Sequence, residues 1–160
     1  MTTHTAPQPY EYDSIRPYLD EEVPAVVAQL ANQPELRHVL SALLSEEETT
    51  ALLQHLKSIQ SVDAFKELIS YPLVVKLAKQ TTFSVSLSGA SRLGGDLPTT
   101  FVTNHRDIIL DSAFLNLVMR ERNYLMPRIA IGDNLFGRPW IEAVVKLNDS
   151  FVVRRSLPIR

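Results

Sequence analysis

The sequence predicts an α/β protein, in which a helical region over residues 20–80 precedes a mixed, partly parallel sheet over residues 81–160. Apolar residues recur at helical spacing up to residue 80 and at strand spacing directly after it. Strand and helix patterns then alternate, an order typical of parallel strands joined by crossover helices. With 160 residues, 45% of them apolar, the chain has the length and composition of a folded globular domain.

Composition excludes several classes of protein. The chain has no cysteine, which rules out disulfide scaffolds, Cys-ligated zinc, iron–sulfur clusters and cysteine nucleophiles. No run of about 18 apolar residues occurs that could span a bilayer. Residues 1–19 lack the basic and apolar regions of a signal peptide, and we expect them to form a flexible lead-in. These features favour a cytoplasmic protein.

Charge is unevenly distributed along the chain. Residues 1–115 hold 8 basic and 14 acidic residues, whereas residues 116–160 hold 8 basic and 4 acidic residues. The total of −2 argues against a nucleic-acid partner. The basic C-terminal part predicts contact with an anionic ligand or with a membrane surface.

Local sequence signals predict where the helices of the helical region begin and where one is interrupted. Pro34 fits the first turn of a helix, and Ser45 and Glu48 have the spacing of a capping box that opens the next one. Helical spacing continues over residues 63–79, where Pro72 predicts a kink or a break. We expect three or four short helices packed on one another.

The remainder of the chain alternates between strand and helix patterns. One helix is predicted over residues 108–120, and Pro139 opens a second. Four segments carry strand patterns bounded by turn residues: 82–88, 99–103, 128–131 and 151–155.

Candidate chemistry follows the predicted strand over residues 99–103. In open α/β sheets, ligands bind outside the carboxyl ends of strands, and Asn104, His105, Arg106 and Asp107 stand at such an end. An imidazole can accept a proton near neutral pH, so His105 is the candidate general base. A nearby carboxylate would hold its tautomer and stabilise the imidazolium.

Two carboxylates are candidates for that role. Asp111 lies six residues after His105, an offset that rotates about 240° on a continuous helix, so the two meet only if the chain turns between them. Asp107 is nearer but stands where a helix N-cap is expected. In the alternative interpretation, Asp107 caps the helix and Asp111 complements the helix dipole.

Two segments carry a family resemblance. NHRDIILD, residues 104–111, resembles the N-H-x4-D block of the glycerophospholipid acyltransferases of the glycerol-3-phosphate and lysophosphatidate type. DSFVVRRS, residues 149–156, resembles their G-x-x-F-I-x-R block. Five residues rather than four separate His105 from Asp111, and Asp149 replaces the glycine. The third family block, E-G-x-R, does not occur, so we expect a partial acyltransferase α/β domain over residues 81–160, truncated after the second block.

The resemblance implies an activity and assigns roles. His105 would be the general base, oriented by Asp111 or Asp107, and the substrate-binding residues would be Arg155, Arg154, Arg106 and Asn104. The donor would be an acyl-CoA or an acyl carrier protein, with no metal or prosthetic group. The acceptor would be glycerol 3-phosphate or a related lysophospholipid, met at the inner face of the membrane or in the cytoplasm. An acyl chain needs an apolar groove, for which the candidates are Ile108, Leu110, Phe114, Trp140 and Ile141.

Two other functions compete with this interpretation. The chain can be a non-catalytic module that binds a lipid or a partner, or an inactive acyltransferase fragment, which the missing third block favours. A hydrolase using His105 and Asp111 is the other, but no G-x-S-x-G nucleophile elbow occurs.

Overall fold

The computed structural model of this protein describes residues 11–93, 98–104, 106–107 and 109–155. Helices account for 58% of the structure, and two short parallel strands form its sheet, so the α/β fold is dominated by helices. The helices therefore form the framework on which the small sheet is positioned.

Three short helices open the fold: α1 (Val23–Leu30), α2 (Pro34–Ser41) and α3 (Glu46–Leu56). The predicted capping box is confirmed at the start of α3. The Glu48 carboxylate accepts from the Ser45 backbone N–H at 2.8 Å, and the Ser45 hydroxyl accepts from the Glu48 N–H at 3.2 Å. These bonds satisfy two backbone donors that the first helical turn leaves unpaired.

A broken helix follows, made of α4 (Val62–Phe65), a π turn (Lys66–Ser70) and α5 (Tyr71–Thr81). The Tyr71 N–H donates to the Lys66 carbonyl, five residues back, which is the π pattern. Pro72 accounts for this break, because it has no N–H and its ring would press on the carbonyl four residues before it. The predicted interruption at Pro72 is thus confirmed, as a π turn within a continuous helical path.

The second half contains α6 (Leu110–Glu121), β1 (Ala130–Gly132), α7 (Pro139–Leu147) and β2 (Phe151–Val153). The strands are parallel, and Ala130 pairs with Phe151 in their register. A helix between two parallel strands is the β–α–β unit that the alternating pattern predicts. The helix opened by Pro139 and the last two strands are confirmed, each strand being shorter than predicted.

The predictions of the other two strands are wrong. The observed sheet is parallel rather than mixed. Residues 82–88 and 99–103 form no strand where the structure describes them, and Phe83 and Val102 are exposed. Alternating apolar residues favour an extended backbone, but an extended segment becomes a strand only when a neighbour pairs with it. β1 pairs only with β2 in the described part of the chain.

One hydrophobic core joins the helices to the β–α–β unit. Leu147, at the end of α7, is fully buried within the cluster formed by the N-terminal helices. The other members of that cluster are Val23, Val27, Leu30, Leu36, Leu40, Leu53, Leu56, Ile59, Val62, Phe65 and Ile69. The predicted helical and α/β regions therefore share their apolar interior.

Residues 11–18, which we call the N-terminal strap, contact the β–α–β unit. The Ile15 carbonyl accepts from the Val152 N–H at 2.8 Å, on the edge of β2 that faces away from β1. Lys146 is buried, donates to the Ser14 carbonyl at 3.3 Å and lies 4.7 Å from the centre of the Tyr18 ring. Of the predicted lead-in, residues 1–10 lie outside the described residues, while the strap is held by specific contacts.

Truncation of Leu147 tests whether the two regions unfold together. Leu147→Ala removes a fully buried side chain from the shared core and should cost about 2–5 kcal/mol of unfolding free energy. Urea unfolding followed by circular dichroism should show a single transition at lower urea. Leu125→Ala is the matched control, because Leu125 is 89% exposed and its loss should cost no more than about 0.5 kcal/mol. Two separate transitions, with only one of them shifted, would contradict a shared core.

Candidate functional site

The start of α6 is organised by two carboxylates. The Asp111 carboxylate accepts from the backbone N–H groups of Arg106 at 2.8 Å and Asp107 at 3.0 Å. The Asp107 carboxylate accepts from the N–H groups of Ile109 at 2.9 Å and Leu110 at 2.8 Å. These four bonds join residues 106 and 107 to residues 109–111 in a tight turn, and we call these five residues the aspartate turn.

The aspartate turn contains both carboxylates that are candidates to orient the His105 imidazole. The chain turns before α6 begins, and the Asp111 carboxylate reaches back to the residue that follows His105. Asp107 accepts from the N–H groups of Ile109 and Leu110, as the alternative interpretation expects of a cap, although the N-cap position of α6 is Ile109. His105 and Ile108 lie outside the described residues, so the choice of Asp111 or Asp107 as the partner of the imidazole stays a prediction.

Arg106 and Asn104 flank the predicted base, and both are exposed. Arg106 contributes its backbone N–H to the aspartate turn. The Asn104 carbonyl accepts from the Thr103 hydroxyl at 3.0 Å. Contact of either side chain with a phosphate stays a prediction.

The far end of α6 is held by Arg120. Its Nε donates to both carboxylate oxygens of Glu67 at 2.9 Å, and Nη2 adds a third bond. The guanidinium also lies 3.5 Å from the centre of the Tyr71 ring. Hydrogen bonding to Arg120 holds the pKa of the Glu67 carboxyl below its usual range. The helix that carries the aspartate turn is thus fixed against α5 and the π turn.

The two predicted phosphate-binding arginines have different neighbours. Arg154 donates to the Ser14 hydroxyl of the N-terminal strap. Arg155 donates its backbone N–H to the Asp133 carboxylate at 3.1 Å, and its side chain passes over Gly132 at the end of β1. The two arginines therefore have different partners, Ser14 for Arg154 and the end of β1 for Arg155.

Residues 132–134 belong to the surroundings of Arg155, and sequence reasoning treated them only as a turn. Gly132 is the last residue of β1, and Asp133 and Asn134 directly follow its carboxyl end. The signal was available, because polar residues after a parallel strand are where such sheets bind ligands. The same rule predicts a site after residues 99–103, where no strand forms.

Four of the five candidate groove residues lie among the described residues. Leu110, Phe114 and Ile141 are half-buried, in α6 and α7. Trp140 packs against the shared core. Its large ring covers part of the side of α7 that faces the core. A groove for an acyl chain stays a prediction.

A separate surface groove of about 620 Å³ lies between the π turn, the end of α6 and Asp149, two residues before β2. Charged groups that line it are paired, Lys66 with Asp63 at 2.8 Å and Arg120 with Glu67. Within the described ranges, no group of three or more potential metal-ligating side chains occurs. Nor, in those ranges, does any helix combine the length and apolar character needed to cross a membrane.

No protein-family model, curated protein or solved structure matches this chain. The residues that carry a functional argument are therefore those of the two sequence blocks and their structural neighbours. The aspartate turn is the part of the first block that the structure describes, and β2 with Arg154 and Arg155 is that of the second.

Substitution of Asp107 separates capping from charge. Asp107→Ala removes the acceptor for two N–H groups and should lower the unfolding free energy by about 0.5–2 kcal/mol. Asp107→Asn keeps an oxygen acceptor and should stay within a few tenths of a kcal/mol of wild type. Thermal unfolding measures both. Equal losses for the two variants would mean that the carboxylate charge, rather than the cap, stabilises the turn.

The Glu67–Arg120 pair gives a pH dependence of stability. Because the folded pKa of Glu67 is lowered, its stabilising contribution is full above the unfolded value of about 4.3 and is lost as pH falls through the folded value. Glu67→Gln should cost no more than about 1 kcal/mol at pH 7, because the pair is partly exposed. Urea unfolding between pH 7 and pH 3 should show this difference vanishing. Glu47→Gln, on the exposed first turn of α3, is the control, and a similar trend for it would contradict the assignment.

Proposed function

We propose that this protein transfers an acyl group from an acyl-CoA or acyl carrier protein to a hydroxyl of glycerol 3-phosphate or a related lysophospholipid. One observation carries the proposal: the Asp111 carboxylate hydrogen-bonds the N–H of Arg106, the residue beside His105. Sequence spacing alone left a continuous helix possible, which would have pointed the two side chains apart. A turn at this position supports a joint role for them.

The proposed step is a direct acyl transfer. The His105 imidazole takes the proton of the acceptor hydroxyl as that oxygen attacks the thioester carbonyl. The C–S bond then breaks, the acyl group stays on the acceptor oxygen, and the imidazolium returns the proton to the departing thiolate. Asp111 is the proposed orienting carboxylate and would stabilise the imidazolium.

Asp149 supports the resemblance of the second block, although it is one of the departures from it. Its φ of 57° lies in the left-handed region, where glycine is the favoured residue and aspartate is tolerated. The family block has glycine at this position. The Asp149 carboxylate also pairs with Arg128 and Lys66, which offsets part of the backbone cost. The replacement is thus compatible with the backbone that a glycine there would adopt.

Arg155 is the proposed ligand for the acceptor phosphate. An arginine can bind a phosphate through two parallel hydrogen bonds, which fixes orientation as well as position. Arg155 is exposed beyond the carboxyl end of β2, and Arg154 already donates to Ser14. The proposal therefore gives Arg155 the larger share of acceptor binding.

A second candidate function is binding without catalysis. Phe83, Val102 and Leu125 are largely exposed, and in this candidate function they would meet the lipid or the partner. Peripheral association with the inner face of a membrane is compatible with either candidate, because the acceptors and products are lipids or their precursors.

An acyl-transfer assay distinguishes the two candidates. Acyl-CoA, acyl carrier protein, glycerol 3-phosphate and lysophosphatidate are supplied, and the acylated product is measured. His105→Ala should reduce turnover by about 10²–10⁴-fold, the usual contribution of general base catalysis. His55→Ala is the matched control, because His55 lies on the exposed side of α3 and should leave turnover unchanged.

The outcomes divide clearly. Transfer that depends on His105 but not on His55 supports the proposed mechanism. Transfer that survives His105→Ala contradicts it. No transfer with any donor and acceptor pair, together with binding to lipid vesicles, would favour the non-catalytic candidate.

A further inference from the structure

Ser14, in the N-terminal strap, is bonded through two of its atoms to two cationic side chains. Its hydroxyl accepts from the Arg154 guanidinium, and its carbonyl accepts from the Lys146 ammonium at 3.3 Å. Arg154 directly follows β2, and Lys146 lies in the last turn of α7, so the two cations come from different elements. The fold thus brings two positive charges to one exposed serine of the strap.

Neither of these cations forms an ion pair with a carboxylate in the part of the chain that the structure describes. Lys146 is 6% exposed, and its described partners are the Ser14 carbonyl and the Tyr18 ring, whose centre lies 4.7 Å from the ammonium. A buried ammonium is costly unless an anion compensates its charge. The surroundings of Ser14 therefore favour an added negative charge.

The carboxylates around the strap are engaged elsewhere. Arg16 lies 3.0 Å from an Asp13 oxygen and 2.7 Å from a Glu22 oxygen. Hydrogen bonding to Arg16 holds the pKa of the Glu22 carboxyl below its usual range, so this pair is charged at neutral pH. Glu142 stands one turn before Lys146 on α7 and forms no ion pair with it. An anion at the serine would thus meet two cations that no carboxylate has paired.

We propose that Ser14 is a phosphorylation site whose phosphate pairs with Arg154 beside Lys146 and fastens the N-terminal strap to the β–α–β unit. A phosphoserine carries about −1.5 to −2 charges and three strong acceptor oxygens. Arg154 already donates to the oxygen that becomes the ester oxygen, so its guanidinium stands next to the new phosphate and can bind two of its oxygens. The Lys146 charge adds electrostatic attraction.

The modification is a phosphoryl transfer from a nucleoside triphosphate, catalysed by a protein kinase. The Ser14 hydroxyl oxygen forms a bond to the γ-phosphorus. The bond between that phosphorus and the oxygen that bridges to the β-phosphate breaks, and the nucleoside diphosphate leaves. The hydroxyl proton passes to a base of the kinase. Because Ser14 is exposed, its hydroxyl is accessible to such an enzyme.

The position of Ser14 gives the phosphate a structural consequence. The next residue, Ile15, accepts from the Val152 N–H at 2.8 Å and so covers the edge of β2 that faces away from β1. A phosphate that holds Ser14 would keep this bond closed and shield the edge from strands of other chains. The phosphate would therefore control access to the edge of β2, whether the protein transfers acyl groups or only binds.

Phosphoserine inserted at position 14 of the full chain by genetic code expansion tests the pairing. The midpoint of thermal unfolding should rise by about 3 °C or more, because new charge-assisted hydrogen bonds join the strap to the chain after β2. Hydrogen exchange of the Val152 amide, followed by NMR, should slow by about tenfold. Phosphoserine at position 84 is the matched control and should change neither quantity, because Ser84 is exposed in the segment 82–88.

Replacement of Arg154 separates pairing from a general effect of charge. In Arg154→Gln, phosphoserine at position 14 should no longer raise the unfolding midpoint or slow exchange of the Val152 amide. An equal gain with and without Arg154 would contradict the pairing, as would faster exchange or a lower midpoint on phosphorylation.

The modification itself is tested on the chain isolated from the cells that make it. Fragment-ion mass spectrometry should place a phosphate on Ser14 in growing or in starved cells. An unmodified Ser14 under both conditions would overturn the proposal.

Discussion

The burial of Leu147 among the N-terminal helices is the contact on which the rest of the structure depends. A two-stranded sheet of three residues per strand has too little surface to be stable by itself. α7 supplies what the sheet lacks, because its apolar face belongs to the helical core while its ends lead into β1 and β2. The strand ends that carry Gly132 and Arg155 are therefore positioned by helix packing rather than by an extended sheet.

Polar groups divide between those that hold the framework and those that face outward. Asp107 and Asp111 each accept backbone N–H bonds with one carboxylate oxygen, and the Arg120 guanidinium pairs with Glu67. Arg155 instead has its backbone fixed and its guanidinium directed to solvent. This arrangement suits Arg155 to binding, because a residue whose backbone is already fixed loses less conformational freedom when it binds a ligand.

Sequence reasoning succeeded where the deciding interaction is local. The capping box at Ser45 and Glu48 and the break at Pro72 each depend on residues within one or two turns, which spacing reveals. Residues 82–88 have an equally clear strand pattern, but pairing needs a distant neighbour that the pattern does not name. The position of Arg155 over Gly132 is likewise non-local, and the spacing of residues 132–134 indicated only a turn.

The position of Leu147 affects when the hydrophobic core can close during synthesis of the chain. Leu147 joins a core whose other members lie between Val23 and Ile69, so the place that it fills stays open until α7 emerges. The N-terminal strap waits longer, because Ile15 bonds to Val152. Closure across such distances is slow relative to local helix formation. The face of α1 that α7 later covers is therefore exposed until α7 has been synthesised, and it can associate with other chains during that interval.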